Sequence, residues 1–121
     1  MYDYNMEQII IVDKDDNSIG SKLPADILHE DIIRVSSLWI TDAKGNILLA
    51  QRSLSKTHNP GKWGPAVSGK NAVGETYIDC ITREAAEEIG VKLVNFKPVQ
   101  KVFTVSKSGP YFAQWFTTVI D

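Results

Sequence analysis

The sequence predicts an α+β fold in which one amphipathic helix packs on a mixed sheet. Three observations carry that expectation. β-branched and aromatic runs recur along most of the chain, at residues 7–12, 32–41, 47–51, 63–67, 96–105 and 111–120. Only residues 76–89 hold a helical apolar period over three turns or more. The turn-forming stretches DKDDNS, DAKGN, NPG and SGP punctuate the runs.

The first strand ends in Ile9-Ile10-Ile11-Val12, and the aspartates and asparagine of 13–18 turn the chain into a short second strand through Ile19. Pro24 opens a short helix through His29, because its missing N–H is harmless in a first turn. Residues 32–41 (IIRVSSLWIT) and 47–51 flank a hairpin turn at 42–46, where Gly45 supplies positive φ. Residues 53–62 form a polar loop, 63–67 a short strand, and 69–74 a glycine-bounded loop. Thr76 is placed to cap the helix and Gly90 to stop it. Residues 96–105 and 111–120 make an antiparallel pair around Ser108-Gly109-Pro110.

The bulk numbers narrow the class. At 121 residues and 43% hydrophobic content the chain suits one globular domain, 1–121. A net charge of −2 offers no basic face for a nucleic-acid polymer, so an anionic ligand would need a local cation. Cys80 is alone, which rules out an intrachain disulfide. No apolar run approaches a membrane span, and the N-terminus does not read as a secretory signal. The expectation is a cytoplasmic protein without a membrane partner.

At about 100° per residue, Ile78, Ile81, Ala85 and Ile89 fall on one arc of the helix, which reads as the core stripe. Glu84, Glu87 and Glu88 fall on the adjacent arc at i, i+3 and i+4, where like charges repel by a few tenths of a kcal/mol per pair. A solvated acidic face is one explanation. A hard cation seated on the face, Mg²⁺ or Mn²⁺, is the other. Gly69 allows close backbone approach upstream, Glu75 enters the helix, and Arg83 lies among the acids.

Residues 69–91 resemble the Nudix box, G-x5-E-x7-R-E-U-x-E-E-x-G-U, with U aliphatic. Gly69, Glu75, Arg83, Glu84, Glu87, Glu88 and Gly90 fill its seven strict positions, and Ala85 and Val91 its aliphatic ones. A chance match of seven positions is rarer than about one in 10⁷ per start. The resemblance implies a Nudix fold, an α/β/α sandwich around a mixed sheet, and hydrolysis of a diphosphate linkage in a nucleoside diphosphate derivative. It implies Gly69 (by its carbonyl), Glu84, Glu87 and Glu88 as metal ligands. Glu75 and Arg83 would be supporting catalytic residues, with Glu84 the first choice of proton acceptor. Upstream, IIIVDKDDNSIG, DAKGNILLAQRSLSK and NPGKW with SGK resemble the subgroup related to isopentenyl-diphosphate isomerase.

That isomerase needs a cysteine after Pro-Gly-x-Trp and two histidine ligands. By spacing, those positions hold Ser68, Lys70 and Ile33 here. A serine is a far weaker acid than a thiol, and neither Lys nor Ile replaces a neutral imidazole. A hydrolase is therefore expected ahead of an isomerase, with an inactive nucleotide-binding module as the other alternative. The resemblance also implies a C-terminal helix for which little sequence remains after the last strand. A truncated or minimal domain is thus expected, monomeric or homodimeric through its exposed strand edges.

Candidate substrate contacts are Arg52, which follows a strand leading toward the site, Lys70, and Trp63, which either stacks on a base or enters the core. Lys56 and His58 are phosphate contacts or solvated loop charges. Trp39 and Trp115 are read as core or interface, His29 as surface, and Cys80 as a semi-buried small hydrophobe.

Overall fold

The computed structural model describes residues 6–55, 59–90 and 95–120. Lys56, His58 and the final box position, Val91, lie outside them. In chain order the elements are Ile9–Val12 (β1), Ser18–Lys22 (β2), a 3-10 turn at Pro24–Asp26, Ile32–Thr41 (β3), Ile47–Leu48 (β4), Ala50–Gln51 (β5), Trp63–Gly64 (β6), Val67–Lys70 (β7), Tyr77–Ile89 (α1), Lys97–Ser106 (β8) and Gly109–Val119 (β9). No helix among the described residues is long and apolar enough to cross a membrane.

The main sheet runs β2-β1-β3-β9-β8. β3 is its centre. On one side it pairs in parallel with β9 over nine residues. On the other it pairs in turn with β1, β7 and β4, all antiparallel. The sheet is therefore mixed, as expected. β8 closes the far edge against β9 with a register shift between Pro98 and Lys101. A proline, lysines and an irregularity on an edge strand oppose further strand addition.

Two of the expected strands divide. Residues 47–51 split into β4, which stays on β3, and β5, which leaves to pair with β6 in a separate two-stranded ribbon. Residues 63–67 split likewise. Pro65 has no N–H to give a ladder, and pairing resumes only at Val67. β7 then runs through Gly69 and Lys70, so the expected 69–74 loop starts later. Gly69 is opposite Ser36 in the ladder, a long-range pairing that local turn signals do not report.

Thr76 caps α1 in a capping box. Its hydroxyl accepts from the Asp79 N–H, and the Asp79 carboxylate accepts from the Thr76 N–H. Gly90 ends the helix at φ 68°. Ile81 and Ala85 pack with Leu38, Ile40, Ala66, Val67 and Phe116, with Ile89 partly buried against them. Ile78 does not join them, being 46% exposed. The buried stripe is instead Cys80, Ile81, Glu84 and Ala85, with Tyr77 at its start. The helix is rolled so that Glu84 turns inward, and Cys80 is fully rather than semi-buried.

Leu38 and Ile40 of β3 face α1. Alternate residues Val35 and Ser37 face the other way, where they line a cleft. Among the described residues α1 is the one α-helix, so one helical layer of the expected sandwich is present.

Asp16 ties the first hairpin to three other elements. Its Oδ1 accepts from Arg34 Nε at 2.7 Å. Its Oδ2 accepts from the Tyr77 hydroxyl at 2.8 Å and from Lys101 Nζ at 2.7 Å. Burial pushes this carboxyl up, but the hydrogen bonds from Lys101, Arg34 and Tyr77 prevail and hold it below its ordinary value of 3.8. Asp16→Asn would leave two cations facing a neutral group and is expected to destabilise the fold by about 2–4 kcal/mol. Because the folded pKa is depressed, the contribution is present above the unfolded value and lost as pH falls through the folded one. Urea melts of both proteins should therefore differ at pH 7, and the difference should shrink only as the pH is lowered below 3.8.

Candidate active site

The box residues meet where β7 passes under α1. A Cβ added at Gly69 would overlap the Glu84 carboxyl group, so the glycine is what lets that carboxylate lie against the strand. Glu84 is only 7% exposed. Its carboxyl is pushed up to about 7, first by burial and then by a hydrogen bond and repulsion from Glu88, against the opposing pull of Arg83. Glu88 is exposed and lines the neighbouring cleft.

Arg83 organises the other acids. It makes a bidentate pair with Glu75, Nε to Oε2 at 2.7 Å and Nη2 to Oε1 at 3.0 Å. Its Nη1 donates to Glu84 Oε1 at 2.8 Å and Glu87 Oε2 at 3.2 Å. Nη2 also lies 3.7 Å from Glu7 Oε1, a partner that nothing in the sequence pattern singles out. These carboxylates raise the guanidinium's pKa further. Glu75 Oε1 accepts from the Ala72 N–H at 2.8 Å, which fixes the loop entering α1.

Among the described residues no three acidic, histidine or cysteine side chains converge as a ready ligand set. Arg83 draws Glu84 and Glu87 to itself, leaving Glu88 beside Glu84. A divalent cation nevertheless fits the residues present. Glu84 and Glu88 crowd together, with the Glu84 carboxyl pushed up, the space at Gly69 that holds the Glu84 carboxyl would be taken by any Cβ, and the donors are all hard oxygens.

Cys80 is poorly suited to nucleophilic chemistry. Its thiol is buried, pushed up to about 12, and directed to the Gly69 carbonyl at 3.7 Å.

The cleft beside Glu88 has a volume of about 540 Å³ and lies between the β5–β6 ribbon and the open face of the sheet. Arg52 and Trp63 line it, and Trp63 is 64% exposed, so it is not a core aromatic. Trp115 lines it too, stacked on Trp39 with ring centroids 5.5 Å apart. Lys70 lines an adjoining chamber of about 400 Å³ that shares Val35, Arg52, Asn59 and Tyr111 with the first. Sequence reasoning missed Ser37, Tyr111 and Asn59 as cleft residues. Ser37 had a signal, a hydroxyl in a β-branched strand. For Asn59 a turn reading hid the position.

A Nudix domain model matches residues 32–120. The chain belongs to the Nudix family. Among curated relatives, isopentenyl-diphosphate Delta-isomerase 2 of Photorhabdus laumondii is 39% identical over 69% of this chain and 48% of its own length. The corresponding isomerase of Klebsiella pneumoniae is 30% identical over 86% of this chain and 58% of its own. The chain thus spans about half the length of the curated relatives it matches. Among solved structures, the DR0079 protein of Deinococcus radiodurans superposes with a TM-score of 0.82 and 25% identity, over 95% of this chain and 73% of that one. The MutT protein of Methanosarcina mazei gives 0.69 and 26%, over 78% and 69%. The motif expected at residues 69–91 is, over its described residues, a strand–loop–helix unit from Gly69 to Gly90, and the chain's relatives include both isomerase-named and MutT-type proteins.

Proposed function

We propose that this Nudix domain is a divalent-cation-dependent hydrolase that cleaves a diphosphate linkage in a small nucleoside diphosphate derivative. The observation that carries the reading is the buried Glu84 carboxyl, held against Gly69 beside Glu88 at the wall of a cleft. The Gly69 carbonyl, Glu84, Glu87 and Glu88 would hold Mg²⁺ or Mn²⁺. A cation there supplies charge neutralisation for the diphosphate and activation of water.

The chain's own residues supply the rest. Arg83 orients Glu84 and Glu87, and Glu75 anchors Arg83. Glu84, with its raised proton affinity, is the candidate proton acceptor. Arg52 and Lys70 would meet substrate phosphates and Trp63 would stack on a planar ring, a reading supported by their lining the cleft or its adjoining chamber.

An isomerase reading is favoured by the names of the curated relatives. Against it, the three positions that chemistry needs, Ser68, Lys70 and Ile33, all line the cleft or its adjoining chamber without a thiol or an imidazole. One experiment separates the readings: incubation with Mg²⁺ and a panel of nucleotide sugars, dinucleotides, nucleoside triphosphates and isopentenyl diphosphate. The expected result is release of a monophosphate or pyrophosphate from a panel member and no dimethylallyl diphosphate. Nucleotide binding without turnover of any member would instead make the domain a binding module.

A further inference from the structure

We propose that the Ser37–Ser68 hydroxyl pair reads the hydrogen-bonding edge of the substrate's planar ring and so sets which base the cleft accepts. The inference rests on the diphosphate-hydrolase reading and adds a specificity element to it.

Ser37 interrupts the apolar run of β3 on the face turned away from α1. It is 3% exposed, and the one partner of its hydroxyl among the described residues is Ser68 Oγ at 3.1 Å. Two hydroxyls carry two hydrogens, and the bond between them uses one. The second hydrogen is left for an acceptor beyond the pair. The adjacent floor of the sheet, Val35, Ala113 and Trp115, offers no side-chain acceptor. An occupant of the cleft can supply it.

The surroundings say what kind of occupant. Ser68, Ser37 and Trp115 are direct cross-strand partners, so they form one row across β7, β3 and β9. Trp39 stacks on Trp115 at an interplanar angle of 11° and fixes its plane. Trp63 stands exposed on the opposite wall. Aromatic walls with two hydroxyls in the floor suit a flat ring that carries acceptors and donors on its edge. A hydrocarbon chain in the same place would leave the hydroxyl hydrogen unanswered. Lys70 lies two residues from Ser68 on the same strand, about 7 Å along it, which puts cationic charge on the side where a diphosphate would lie.

The test is calorimetric titration of the full chain, in Mg²⁺, with ADP, GDP, CDP, UDP and inorganic pyrophosphate. The variants are Ser37→Ala/Ser68→Ala and Ser68→Ala alone, the latter at an exposed strand position that tolerates truncation. Wild type should prefer one nucleoside diphosphate over the others. The double variant should lose about five- to tenfold in affinity for that one, the scale of a lost hydrogen bond. Its four affinities should then converge, with pyrophosphate unchanged. The single variant should lie between. An unchanged preference in the double variant would overturn the proposal, as would no preference in wild type or a parallel loss of pyrophosphate. If wild type binds pyrophosphate but the preference test fails, only the serine pair is wrong. If wild type binds neither pyrophosphate nor any nucleotide, the diphosphate reading falls with it.

Discussion

Glu88→Gln is expected to lower turnover on the order of a thousandfold, the scale seen when a preorganised charge facing the transition state is removed. It is expected to do so while leaving thermal stability unchanged or raised. The two effects have one cause. Glu88 is exposed at the cleft, so its side chain contributes little to packing. Its carboxylate sits by the buried Glu84 and helps push that carboxyl up to about 7, which is a destabilising arrangement in the cation-free protein. Glutamine keeps the shape, removes the repulsion and removes the charge a cation would need. Glu87→Gln is expected to lose activity as well, but without the gain in stability, because Glu87 is paired with Arg83 at 3.2 Å. Phosphate-release kinetics in Mg²⁺, alongside melting curves in chelator, distinguish the two. Full activity in both variants would remove the metal-site reading altogether.

That opposition between stability and function is what makes a candidate site legible in the sequence. Three glutamates at i, i+3 and i+4 are a local conflict, and natural sequences concentrate such conflicts at functional sites. The glycines at 69 and 90 and the arginine at 83 gave the conflict a frame. The helix was legible for the same local reasons: its cap, its apolar period and its terminating glycine all lie within one stretch of chain. What was not legible depended on distant residues. The roll of α1 that buries Glu84 and exposes Ile78 is set by the volume left under it by Leu38, Val67 and Phe116. The split of 47–51 into β4 and β5 depends on which partner each half finds. Glu7 reaches Arg83 only because β1 runs beside the start of β3, a sheet-order fact with no local signature. The cleft residues Ser37 and Trp115 become neighbours through the parallel β3–β9 ladder, across nearly eighty residues of sequence.

Gly69→Ala is the second large effect, and it tests the geometry rather than the charge. Gly69 has ordinary extended backbone in β7, so its value is not conformational freedom. The new methyl would occupy the space of the Glu84 carboxyl group. Either β7 moves away from α1, or Glu84 rotates toward a region already crowded by Glu88 and Arg83. Overpacking of this kind costs about 1–3 kcal/mol. Cation affinity should fall about 10- to 100-fold, the scale of a displaced ligand or its support. Gly64→Ala is the control, because a Cβ there meets nothing within 4 Å, and its stability should match wild type. A double-mutant cycle with Glu84→Ala identifies the cause. If the clash is with the Glu84 side chain, truncating that side chain should abolish most of the stability cost of Gly69→Ala. If the cost persists in the Glu84→Ala background, the methyl is instead meeting the strand pairing between β7 and β3, and Gly69 is a structural residue of the sheet rather than the seat of the carboxylate.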